Sequence, residues 1–142
     1  MLRVIKNSQN VLTVTLTEKS TLPNPIYLFK FVNQTSNVAY WFISNDESQF
    51  KERYNRFLLT EEDNAAPQQS LDGIIELGLQ GRYDYEIYQT TLTSTETLVV
   101  AADAIPFIDK TVEVGIVDVV FEAEEYAKYE VQSDTNIVYQ PE

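Results

Sequence analysis

Hydrophobic and polar positions alternate along most of this chain, and the alternation predicts strands. Residues 10–17 put Leu12, Val14 and Leu16 on one side and Thr13, Thr15 and Thr17 on the other, the period of a half-buried strand with a solvated face. Leu22-Pro23-Asn24-Pro25 breaks the pattern, because two prolines force an extended turn. Residues 26–32 carry Tyr27, Phe29 and Phe31 on one face. Five turn-forming residues follow, Asn33 to Asn37, and residues 38–44 return with Ala39, Trp41 and Ile43 on one side. Two apolar runs around a polar turn read as a hairpin. Residues 2–6 are expected as a short strand or arm.

Further along, Asn45 to Ser48 is a turn, and an irregular lead-in over 50–54 gives way to a strand at 55–60. Residues 61–71, acidic and interrupted by Pro67, are expected as a loop. Strands are predicted at 73–79 and 82–90. A long connection, 91–111, follows, with a short strand at Leu98 to Ala102. The last strand is placed at 112–120. Gly115 inside it signals a bulge or a close neighbour.

The stretch from Leu79 to Tyr88 sets the fold class. Gly81 turns the chain, and Tyr83, Tyr85 and Ile87 then share one face. That spacing matches the corner of an immunoglobulin-like sandwich, where a tyrosine hydroxyl bonds back to the backbone just upstream. Tyr83 takes the corner, and Tyr85 takes the place usually held by a cysteine. Trp41, the sole tryptophan, falls on the third strand of such a sandwich, so Phe31, Trp41 and Tyr85 are expected to form an aromatic cluster in place of a disulfide. The expectation is an all-β chain: an immunoglobulin-like antiparallel β-sandwich over residues 1–120, and an acidic C-terminal arm over 121–142.

Composition narrows the chemistry. The 142 residues suffice for one domain with a sizeable core. With no Cys and no His, the chain lacks disulfides, cysteine nucleophiles, histidine acid–base groups and ordinary zinc ligands. No apolar run approaches the ~20 residues of a membrane helix, and no signal-peptide pattern opens the chain, so a soluble protein is expected. Net charge is −12 and uneven. Residues 1–60 hold seven Lys/Arg and four Asp/Glu (+3), whereas residues 61–142 hold three and eighteen (−15). A surface that negative repels phosphate backbones, which argues against nucleic acid and for a basic protein neighbour.

Carboxylates cluster at Asp46/Glu47, at Glu61/Glu62/Asp63 and at Glu122/Glu124/Glu125, none with the ligand spacing of an EF-hand loop. Solvated charge is the plain reading, and loop Ca²⁺ the alternative. There is no phosphate-cradling glycine loop, and no pair of acids is marked for glycoside hydrolysis. Neither an enzyme nor a cofactor is expected. The tail differs in kind: residues 122–142 carry six acids, one lysine and three tyrosines, Tyr126, Tyr129 and Tyr139. They read as a solvated end or as aromatic anchors of an arm that orders on a partner.

Four segments carry a resemblance: Pro25-Ile26-Tyr27-Leu28-Phe29-Lys30-Phe31-Val32-Asn33, Glu52-Arg53-Tyr54-Asn55-Arg56-Phe57, Gly81-Arg82-Tyr83-Asp84-Tyr85-Glu86-Ile87-Tyr88 and Val112-Glu113-Val114-Gly115. Over roughly residues 10–120 the chain resembles small proteins encoded among the structural genes of crAss-like and related Bacteroidetes phages, immunoglobulin-like auxiliary capsid or head decoration proteins. The resemblance implies a virion component assembled in the host cytoplasm. Its partners would be the major capsid protein and other virion proteins, bound non-covalently in many copies, with no nucleic acid or membrane involved. A carbohydrate- or receptor-binding module using exposed tyrosines such as Tyr88 or Tyr126, or a tail or neck connector, is the alternative.

Overall fold

The computed structural model describes residues 2–23 and 25–121. The strands are β1 (Leu2–Ile5), β2 (Gln9–Val14), β3 (Ile26–Asn33), β4 (Ala39–Ile43), β5 (Asn55–Glu61), β6 (Ile74–Ile75), β7 (Gly81–Thr90) and β8 (Ile108–Val120). They form a five-stranded sheet, β1-β8-β7-β3-β4, and a three-stranded sheet, β2-β5-β6. Two short 3-10 helices, Pro67–Asp72 and Ala101–Phe107, complete the elements among the described residues.

The alternation placed most strands, but not all. The expected strand over 73–79 shrinks to Ile74–Ile75, and the 61–71 loop contains most of a 3-10 helix. Pro67 opens that helix and Gly73 closes it at φ 75, in the left-handed region that glycine tolerates. The expected strand at Leu98 to Ala102 is instead a bend running into the second 3-10 helix. Asp103 holds this turn by accepting hydrogen bonds from the Val99 and Val100 amides at 3.0 and 3.1 Å. The sheets are also not wholly antiparallel: β1 runs parallel to β8, and β6 parallel to β5.

Between the sheets lies the main core. Leu12 and Val14 of β2 and Phe57 and Leu59 of β5 meet Phe29, Phe31, Phe42, Tyr83, Tyr85, Ile87, Val117 and Val119 of the larger sheet. Aromatic contacts bridge and fill it. Phe29 stacks on Phe42 at 4.7 Å and meets Phe57 edge-on at 4.9 Å. Tyr83 is fully buried, and its hydroxyl donates to the Leu79 carbonyl at 2.5 Å, the upstream bond that its position predicted.

The aromatic cluster expected around Trp41 is corrected. Phe31 and Tyr85 do meet, with ring centroids 6.4 Å apart, but as directly paired neighbours in one sheet rather than across two. Trp41 stands on the other face. It joins a second cluster outside the larger sheet with Leu28, Ile43, Tyr88, Leu98, Ala101 and Ala104. The physical reason is the period of two: Phe42 points inward, so Trp41 must point out. The β7–β8 connection folds over that outer face and buries it.

Gly115 behaves as its place in a strand suggested. A Cβ there would sit 2.7 Å from atoms of the Tyr85 ring, so this side chain lies directly over the glycine backbone. The β7–β8 register shifts at Ile87/Tyr88 and at Gln89/Thr90.

Candidate functional site

The loop network between β4 and β5 is the first polar constellation. Asp46 Oδ1 accepts from the Ser48 and Arg56 amides at 2.9 and 3.1 Å, and Oδ2 accepts from Asn55 Nδ2 at 2.5 Å. Asn55 in turn accepts from the Leu16 and Thr17 amides through Oδ1 and donates to Thr17 Oγ1. Beside this network a cleft of about 400 Å³ opens between the β2–β3 and β4–β5 loops. Asp46 has spent both oxygens on folding the loop, which leaves it little capacity for a ligand.

Glu61, from the second expected acidic cluster, is fully buried, and its carboxylate accepts from the amides of Asn7 and Leu77 at 2.8 and 2.7 Å. It ties two turns together at one end of the sheets. Glu62 and Asp63 do not join it. Among the described residues no group of three or more Asp, Glu, His or Cys is placed to hold a metal ion. Glu122, Glu124 and Glu125, and the three tail tyrosines Tyr126, Tyr129 and Tyr139, lie outside the described residues.

Of the tyrosines expected as stacking platforms, Tyr126 lies outside the described residues. Tyr88 is buried, and its hydroxyl donates to Glu86 at 2.8 Å. Trp41, half-buried, has Tyr88 stacked against it at 6.1 Å and the Lys30 ammonium 5.2 Å from its ring centre. Its ring is therefore occupied by protein groups, and its attraction for a cation is met by Lys30.

The two edges of the larger sheet remain. On one side, β1 covers β8 over Val117–Val120 only, so residues 109–116 carry no outer strand among those described. This edge is defended: Asp109 and Lys110 flank it, the register shifts disturb it, and Lys19 reaches across to Glu113 in an ion pair. On the other side, β4 pairs with β3 alone among the described residues. Its sequence, Ala39-Tyr40-Trp41-Phe42-Ile43, holds no charge, no proline and no glycine.

Alongside β4 runs a cleft of about 360 Å³. Three consecutive β4 residues, Ala39, Tyr40 and Trp41, line it. Neighbours in a strand point to opposite faces, so their joint presence places the cleft along the strand's edge rather than on either face. The opposite wall is Ala66, Pro67 and Val100, and Glu76 supplies the sole charged side chain of the lining. Sequence reasoning missed this site. Its signal was a strand of five residues free of edge-blunting features.

A scan against protein-family models found no match, and a search of curated proteins likewise found none. Among solved structures, the chain is similar to a protein of Bacteroides vulgatus provisionally described as a glycoside hydrolase. Identity is 10%, the TM-score is 0.42, and the match covers 86% of this chain and 17% of that one. A superposition that loose supports no transfer of activity or substrate.

Proposed function

We propose that this chain is an adhesive structural module, an immunoglobulin-like auxiliary protein of a phage capsid that binds the major capsid protein without covalent chemistry. The observation that carries the reading is the β4 edge: unpaired backbone beside an apolar cleft suits an extended segment of a partner. Main-chain bonds would supply affinity and the cleft would accept alternate side chains. Several features support the immunoglobulin-like assignment. The first strand lies parallel to the last, a second sheet is built on the β2–β5 pair, and Tyr83 closes the corner before β7. In this reading β3, not β4, occupies the place of the third sandwich strand.

The phage assignment rests on the sequence resemblance, and the adhesive role on the edge. Mass spectrometry of purified virions tests the first, with the protein expected in heads in many copies; absence from them overturns it. Ala66→Arg places a charged side chain in the cleft at an exposed position and tests the second. Binding to capsid protein should fall with the thermal transition unchanged, and full binding would remove β4 from the account. The carbohydrate reading loses Tyr88 as an exposed platform, Tyr126 lies outside the described residues, and a glycan array provides its direct check.

A further inference from the structure

We propose that the β4 cleft takes one extended segment of a partner chain, inserted between the edges of both sheets and carrying a basic side chain opposite Glu76. The inference rests on the reading of β4 as the adhesive edge and names what that edge recognises.

The cleft has two strand edges, not one. Ala39, Tyr40 and Trp41 line one wall, and Ile74, Ile75 and Glu76, also consecutive, line another. Strand β6 ends its sheet as β4 ends the larger one. The ladders show where the backbone of each points. The Asn33 amide donates to the Val38 carbonyl at 3.1 Å, so the bonded pairs continue at Phe31/Tyr40 and Phe29/Phe42. Ala39 and Trp41 therefore turn their N–H and C=O groups away from β3. The Gly73 and Ile75 carbonyls accept from the Thr60 and Glu62 amides at 2.8 and 3.0 Å, so Ile74 and Glu76 turn theirs away from β5. Among the described residues, no turn or loop bond between backbone groups reaches these four. The edges converge at one end, where a Cβ on Gly73 would lie 3.5 Å from the Ser44 Cβ. Further along, the Gly78 amide donates to the Tyr40 hydroxyl at 3.2 Å. The two strands thus run in opposite directions, and a segment between them lies parallel to one and antiparallel to the other.

These features choose the occupant. Unpaired backbone on both walls calls for a single strand, whose alternate residues bond to left and right. A second copy does not supply it from β4, because that edge lies inside the cleft in each copy, and both copies carry −12. Glu76 is exposed and is the sole charge of the lining. The matching segment therefore carries Lys or Arg there, and uncharged residues beside Ala39, Ala66 and Pro67.

Short end-blocked peptides of alternating Val and Thr, with Lys, Gln or Glu at the centre, test this on the full-length chain. The Lys peptide should bind ~10-fold tighter than the Glu peptide at low salt, and Glu76→Lys should reverse the order. Methylating the odd or the even peptide amides removes the bonds to one edge at a time, and each set should weaken binding ~10-fold. Amide exchange at Trp41 and Ile74 should be fast in the free protein and slowed together by the Lys peptide. Binding by none of the peptides, an order that Glu76→Lys leaves unchanged, or sensitivity to one methylated set only each overturn the proposal. So does slow exchange of both amides in the free protein, which gives the edges to the chain itself or, where it depends on concentration, to a second copy. Capsid binding that Ala66→Arg abolishes but Glu76→Lys spares would leave the adhesive reading standing and remove this one.

Discussion

Trp41 and Phe42 are consecutive on β4 and stand on opposite faces of one sheet, and the two faces are built differently. Phe42 is fully buried between the sheets, where it stacks on Phe29 and meets Phe31 edge-on at 5.1 Å. Trp41 lies under a connection rather than under a sheet, in a smaller cluster closed by Leu98, Ala101 and Ala104. The inner face is held by strands fixed through their ladders, the outer face by a segment of bends and one 3-10 helix. A side chain removed from the first leaves a cavity with rigid walls. One removed from the second leaves a gap that a loop can settle into.

Truncation of each neighbour tests that difference directly. Phe42→Ala should cost ~3–5 kcal/mol, the range for a core phenylalanine, and bring this chain close to unfolding. Trp41→Ala, at a half-buried site under an adaptable cover, should cost ~1–2 kcal/mol although the larger side chain is lost. Urea denaturation of both variants measures the pair. Equal losses would mean that the β7–β8 connection is as rigid as a sheet.

Gly115→Ala probes the inner face by addition rather than removal. The new methyl would meet two ring carbons and the hydroxyl oxygen of Tyr85 at 2.7 Å, and that ring is held by its own hydrogen bond to Glu113 at 3.0 Å. The ring cannot swing aside without giving up this bond, so a loss of ~1–3 kcal/mol is expected. The companion Gly115→Ala/Tyr85→Leu should recover part of it. A neutral Gly115→Ala would show that the ring moves freely.

Tyr83→Phe removes the bond to Leu79 while keeping the ring, and should cost ~1 kcal/mol, leaving the Leu79 carbonyl to water. The same tyrosines give the inner face a pH limit. Burial raises the Tyr83 hydroxyl above its ordinary value. Burial, then the bond to Glu113 and that carboxylate's charge, raises Tyr85 further. A raised folded-state value means that stability is fully present below the unfolded value of ~10 and is lost as pH climbs above it. Alkaline titration should therefore release tyrosinate absorbance in two stages, exposed rings first and buried ones with unfolding. A single smooth stage would contradict the packing.

These faces also mark where reading the sequence succeeded and where it stopped. The period of two was legible, and with it β2, β3, β5, β7 and the Tyr83 hydroxyl bond to Leu79, because each rests on alternation or on a local spacing. Which face looks inward was not. Strand β3 is apolar on both sides, with Tyr27, Phe29 and Phe31 on one and Leu28 on the other, and β4 offers Trp41 and Ile43 against Phe42. Alternation defines two sets but does not rank them, and rarity drew attention to Trp41. The partner face decided it, through contacts with Phe57 and Leu12 that are remote in sequence. The β4 edge was hidden for a related reason: an edge is defined by the strand that is missing beside it, which no local pattern encodes.

The smallest effect is expected where the β2–β3 loop meets the defended edge. Lys19 pairs with Glu113, but its side chain is 47% exposed against 15% for the glutamate. Water and salt reach the lysine, so the attraction is screened, and ordering a long side chain offsets part of what is left. Lys19→Ala should therefore cost below ~1 kcal/mol, and less still in high salt. Glu113 keeps its other contact, the Tyr85 hydroxyl, so removal of the lysine does not strand a buried charge. Urea midpoints at low and high salt measure it. A salt-independent loss well above that bound would mean that Lys19 holds the loop by packing its stem against β8 rather than by charge, and the defended edge would then owe its closure to the loop itself.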